Sequence, residues 1–469
     1  MAFHVASCAV FLCIIFVRGG PNPGETDAHA DTDPATAISH GHLRQAEEET
    51  AVPNPPGYPL LTAPFVLLLR PVVGSPRWCD DKPIPAALRS IGAAYFSKLL
   101  DPCASRTPAH PGYPIWYRSQ AVLAVVGWIV LLVGAVGLLG AAGAGGGVGE
   151  LLLVVTLLAL PATTDAVAQS FHPQDLMSVG FSAAACAQGM RRRWVWAGVL
   201  FGLALLCKQF ALLAIIPAVA LAPDWRGRLR LVAATGLVGA VGVLPFYLAD
   251  PAATTHALSA TYVEGAGVVK TPSVIGLLDM GEYRKLVLAR DLPLLLSAGI
   301  VAVVWRRAGA RLRRAPVAVV GLVLACLATR LVFEVSMWNY YFLAVGAFLL
   351  ILDMTYRRPP WWSLVWIVGT RYGLQWLAPR APTGVTAAAF LAAALLGMAV
   401  GLVAVRRGVA GVGPAPARTP ASPPGAPARR GRGGEDRALV AQGRRRPGPA
   451  ATPATSGAGD EPASGASRR

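Results

Sequence analysis

The chain has 469 residues, 54% of them hydrophobic and only 14% charged, with a mean hydropathy of +0.50. That balance excludes an ordinary soluble domain and points to a polytopic membrane protein. The formal charge of +17 does not argue for nucleic acid: from Arg406 to Arg469 there are twelve arginines against four acids, and most of the rest lies in short loops between apolar runs, where positive charge sets membrane orientation.

Phe3 to Val17 is apolar but short of the roughly 20 residues of a full span. No positive segment precedes it and no good small-residue cleavage signal follows, so a first transmembrane helix is preferred over a signal peptide. Residues 19–58 are polar. Residues 58–73, YPLLTAPFVLLLRPVV, are apolar but carry Pro64 and Arg70. Nothing between 75 and 118 could cross back, so this stretch reads as a helix lying along the membrane surface. Residues 18–118 then form one large loop, which holds Cys79 and Cys103. A disulfide between them is expected if the loop is extracytoplasmic.

The second span is Ser119 to Leu139. Further apolar runs follow at 150–167, 175–190, 194–207, 209–222, 230–248, 291–305, 316–334, 339–355, 361–378 and 385–405. The fold class expected is therefore all-α, with about twelve transmembrane helices over residues 1–405. Arg191 to Arg193, Arg226 to Arg230, Arg306 to Arg314, Arg357-Arg358 and the tail after Arg406 all fall on one side of such a map. Twelve spans with a cytoplasmic N-terminus place every one of them inside. The tail 406–469, rich in Pro, Gly, Ala and Arg, reads as disordered and cytoplasmic. The glycine run at 140–148 lacks a following Lys-Ser/Thr and reads as a cytoplasmic turn rather than a phosphate loop.

The same map puts five polar features outside. The first loop opens with Gly24-Glu25-Thr26-Asp27-Ala28-His29-Ala30-Asp31-Thr32-Asp33, whose carboxylates are candidate general bases or merely solvated acids. His172-Pro173-Gln174-Asp175 forms one hairpin tip. Lys208-Gln209 interrupts an apolar run and forms a second. Arg118 opens the second span, and Arg330 lies near the outer end of another. Charges in or near lipid are costly and mark function more often than not, although snorkelling accounts for some of them. Tyr340 and Tyr341 read as interfacial belt residues.

The order of these features resembles the GT-C class of integral-membrane glycosyltransferases, in particular the polyprenol-phosphate-mannose-dependent mannosyltransferases of actinobacteria. The resemblance runs over roughly residues 1–380. An acid follows the first span; ATAISHG ends in Gly41; Pro55-Pro56-Gly57-Tyr58-Pro59-Leu60-Leu61 leads into the juxtamembrane stretch; and Arg118 opens the second span. The His172-to-Asp175 tip and the hairpin Leu203 to Leu213, LALLCKQFALL, add to it. The class usually carries a compact acidic pair at the membrane, whereas this loop has three aspartates set ten or more residues from the span.

The resemblance implies transfer of a hexose, mannose above all, from a polyprenyl-phosphate donor to a glycan, glycolipid or protein acceptor of the cell envelope, at the outer face of the plasma membrane. Asp27, with Asp31 as neighbour, would be the base. Lys208, Arg118 and Arg330 would face the donor phosphate, and His172, Asp175 and Gln209 the substrates. No cofactor is called for; the His172–Asp175 tip leaves a divalent cation open, but two side chains make no metal site. The rival reading is a transporter or flippase of a lipid-linked sugar. The two halves of the chain show no internal repeat, and such repeats are common in secondary transporters.

Overall fold

The computed structural model describes residues 2–17, 57–73, 121–168, 171–252, 254–255, 273–335, 337–356, 360–377 and 380–412. Among them the regular structure is helical throughout, with no strand. The expectations resting on Asp27, Asp31, Asp33, Gly41, Cys79, Cys103, Arg118 and the tail beyond 412 lie outside the described residues.

In chain order the helices are α1 (Ala2–Val17), α2 (Gly57–Val73), α3 (Ala121–Ala141), α4 (Gly147–Ala159), α5 (Pro161–Ala168), α6 (Pro173–Met190), α7 (Trp194–Cys207), α8 (Leu212–Leu221), α9 (Trp225–Ala249), α10 (Glu282–Ala308), α11 (Pro316–Phe333), α12 (Leu343–Thr355), α13 (Trp361–Val368) and α14 (Thr383–Ala410). Five stretches are long and apolar enough to cross a membrane, and a sixth if α4 and α5 count as one broken span. The other predicted runs include shorter apolar helices, α1, α7, α8 and α12 among them. The chain is thus a multi-pass membrane protein built from helices of unequal length.

Several boundaries differ from the sequence reading. The run 150–167 is not one rod: it bends by 54° between α4 and α5. Pro161 cannot donate to the carbonyl four residues back and clashes with it, so the helix ends at Ala159 and the Leu160 N–H turns to Leu157 O at 3.3 Å. The run 361–378 is α-helical only to Val368 and continues as a π-helix, Gly369–Leu377. Helix α14 carries on through Arg406 and Arg407 to Ala410, past the expected end at 405. The glycine run does form a turn, with Gly143 and Gly146 at positive φ, where a side chain would be strained.

The bundle closes through small residues. Helices α3 and α6 run in the same direction, and Gly134 lies against Gly180 so closely that a Cβ on Gly180 would sit 2.5 Å from the Val130 backbone. Gly321 of α11 and Gly401 of α14 meet in the same way. Without a hydrophobic force between helices in lipid, close backbone approach of this kind supplies the packing. Helix α1 joins the core through Phe11, stacked on Trp128 at 4.8 Å, and through Trp128 Nε1–H donating to Ser7 Oγ at 3.3 Å.

Two ends of the bundle differ in chemistry. At one end Trp194 packs on Gly227, Arg228 and Arg313 lie 6.0 and 5.2 Å from the Trp305 ring, and Gly408 packs on Ala318. Those contacts gather the basic segments after α6, before α9, after α10 and at the close of α14. From there α7 rises to Lys208 beside α9: Gly198 packs on Leu231, Gly202 on Val238 and Leu206 on Gly242. Helix α7 has 14 residues and spans about 21 Å. Helix α9 runs on past Gly242 to Ala249, about 10 Å further.

Candidate functional site

Lys208 closes α7. Its backbone leaves the helix in an extended conformation, φ −154°, and a single 3₁₀ turn, Gln209–Ala211, starts the descent into α8. Its N–H still donates to Ala204 O at 2.9 Å, so the lysine is the last residue held by α7 before the chain turns. Its Nζ lies 3.9 Å from Asp175 Oδ2. Asp175 sits in the first turn of α6, is 2% exposed, and its Oδ2 accepts no hydrogen bond among the described residues. The pair is loose, with the carboxylate buried and the lysine partly exposed. A buried charge persists only with a counter-charge nearby, and an acceptor without a hydrogen bond has capacity left for another donor.

His172 caps the same helix from the turn that joins it to α5. The preceding Phe171 is fully buried at φ +53°, a region a bulky residue enters only under constraint. The His172 N–H donates to Ala166 O, which ties α6 back to α5. The ring is 2% exposed. Gln174 Nε2 lies 2.8 Å from Nδ1. With the amide donating, the neutral ring carries its proton on Nε2.

Arg330, in the last turn of α11, completes the cluster. Its Nε donates to Glu334 Oε2 at 2.8 Å, its guanidinium lies 4.3 Å from the Tyr341 ring and 5.0 Å from the Phe210 ring, and its charge acts on Asp175. Phe210 follows the Lys208-Gln209 tip directly, so the contact brings the end of α11 to the α7–α8 reversal. Tyr340 packs against the His172 ring at 4.5 Å, tilted by 42°, and is only 7% exposed. It is a wall of the site and not the lipid-facing belt residue expected from sequence. Gln209 is exposed at the rim.

Of the residues singled out in the sequence, His172, Asp175, Lys208 and Arg330 are therefore brought together at the end opposite the basic segments, with Gln209 beside them. Asp27, Asp31 and Arg118 lie outside the described residues. Helix α2 approaches the same region: Tyr58, fully buried at its start, packs with Met177 of α6 and Cys207 of α7. Three side chains were not anticipated as site residues, namely Tyr340, Glu334 and Asp165. Asp165 is 1% exposed in α5, flanked by the buried Thr163 and Thr164, and one residue before the carbonyl that holds His172. The tripeptide TTD, two residues after the helix-breaking Pro161, was its signal, since an acid within an apolar run is a functional candidate by default. Among the described residues no three His, Cys, Asp or Glu side chains group as a metal site.

The sequence profile of glycosyltransferase family 87, a GT-C-like family of membrane glycosyltransferases, matches residues 108–333. The match covers just under half of the chain, includes both hairpin tips and Arg330, and indicates a membrane glycosyltransferase. No curated protein matches the chain.

Proposed function

We propose that this glycosyltransferase moves a hexose, mannose by the resemblance, from a polyprenyl-phosphate donor to a cell-envelope glycan, glycolipid or protein on the extracytoplasmic face of the plasma membrane. The observation that supports this best is the convergence of the Lys208 and Arg330 charges on the buried Asp175 carboxylate inside the family-matched segment.

In the proposed reaction the acceptor oxygen forms a bond to the anomeric carbon while the bond from that carbon to the phosphate oxygen breaks. The acceptor proton passes to a carboxylate, and the phosphate leaves with the bond's electron pair on the lipid carrier. Lys208 and Arg330, with Arg118 if the second span opens nearby, would stabilise the developing phosphate charge. Asp175 would hold Lys208 in place, and His172 and Gln209 would orient sugar hydroxyls. Asp27 would take the proton, with Asp31 one turn on as its neighbour. An apolar groove of about 620 Å³ between α1, the α4–α5 break and the π-helix, bordered by Cys13, Pro161, Ile367 and Arg371, offers a bed for an isoprenoid tail.

The test uses membranes holding the full chain, supplied with radiolabelled polyprenyl-phosphate mannose. Transfer of label into lipid or polysaccharide fractions is expected, and Asp27→Asn should lower it about 10²–10⁴-fold without loss of membrane insertion. Normal transfer by Asp27→Asn, Asp31→Asn and the double variant would remove the base from this loop. Appearance of intact lipid-linked sugar on the opposite face, without transfer, would turn the reading to a flippase.

A further inference from the structure

A second cavity, of about 330 Å³, opens at the end of the bundle opposite the site, lined by Arg192, Arg193, Trp194, Val195, Trp196 and Arg230. The three arginines are exposed, and among the described residues no carboxylate forms an ion pair with any of them. Asp224, the acid of the adjoining turn, accepts the Gly227 N–H at 2.6 Å as the cap of α9. Loop charge that only sets orientation needs no cavity; here arginines from the α6–α7 turn and from the start of α9 line one.

The backbone adds to the case. Helix α6 ends with the Arg193 N–H on Gln188 O and the Arg192 N–H on Gly189 O, both at 2.9 Å. That is the helix-end motif whose left-handed residue is usually glycine, yet Arg192 occupies it at φ +60°. The other wall is Trp196, 63% exposed, beside Val195, 50% exposed. Indole rings of this kind settle at the headgroup level of a bilayer, and planar guanidinium groups match phosphate oxygens in pairs.

We propose that this cavity binds the phosphate-bearing headgroup of an anionic phospholipid in the leaflet at the basic end of the bundle. Basic pockets between transmembrane helices take such headgroups. The proposal rests on the multi-pass architecture alone and stands whether or not the sugar chemistry above is right.

The test is native mass spectrometry of the full chain released from nanodiscs of phosphatidylcholine with a minor fraction of phosphatidylglycerol. The wild type should retain the anionic lipid selectively. Each arginine near an anionic surface contributes a factor of about five, so Arg193→Ala/Arg230→Ala should weaken retention about 25-fold. Arg226→Ala/Arg228→Ala, on the same turn but outside the cavity, should leave it unchanged. Arg192→Gly should weaken retention about fivefold while keeping or raising the melting temperature, which separates lipid binding from folding. Equal loss from both double variants, or none from Arg193→Ala/Arg230→Ala, would overturn the site. Displacement of the lipid by millimolar inorganic phosphate would make the ligand a soluble phosphate instead.

Discussion

The Lys208–Asp175 pair is open to a double-mutant cycle. Lys208→Ala leaves the Asp175 carboxylate buried beside one fewer cation, so both activity and stability should fall; Asp175→Asn in the same chain should restore stability and not activity. Lys208→Arg keeps the charge and should retain more donor use than Lys208→Ala. Recovery of transfer in the double variant would make the pair structural. Tyr340→Ala should loosen the His172 ring that rests on it, raising KM for acceptor or donor more than Tyr340→Phe, which keeps the ring contact. Steady-state kinetics on both variants decide this. Lys208, His172, Asp175 and Arg330 could be read from sequence because each is a polar residue in an apolar neighbourhood, a cost that demands a reason. Tyr340 could not: an aromatic beside Trp338 is as natural in a belt as in a wall, and only the fold of the 334–342 link distinguishes them.

At the scale of the element, helices were legible and their interruptions were not. Hydropathy marks α3, α11 and α14 plainly, but the 54° break at Pro161 and the π-helix after Val368 depend on neighbours that re-satisfy freed backbone groups. The glycine contacts give a test. Gly180→Ala places a methyl against the Val130 backbone, where neither helix can give way, and should cost about 1–3 kcal/mol in thermal unfolding of the detergent-solubilised protein. Gly137, with open space around the same position, should tolerate alanine. Equal effects at the two glycines would mean α3 and α6 are not held by close approach.

Across the whole molecule the basic segments and the His172–Lys208–Arg330 cluster occupy opposite ends. Impermeant thiol reagents on a cysteine-free background should label position 209, exposed at the Lys208 tip, from one side of sealed membranes and position 192 only from the other. Labelling of both from one side would dismantle the proposed orientation. The alternation of basic loops foretold which segments meet, because charge bias and helix direction record the same fact twice. The count of spans was harder to read, since α7, α8 and α12 are apolar yet shorter than a bilayer is thick.

That shortness sets the depth of the chemistry. Lys208 stands about 21 Å above the basic end, against a hydrocarbon layer of about 30 Å, while α9 continues past it. The hairpin side of the bundle is thus shorter than the hydrocarbon layer, and in the proposed reaction the bilayer would dimple there or the donor phosphate would be drawn below the headgroup plane. Either adjustment is cheaper in a thin membrane. Reconstitution across phosphatidylcholines of increasing acyl length should show transfer falling as the bilayer thickens, with no matching loss of folded protein.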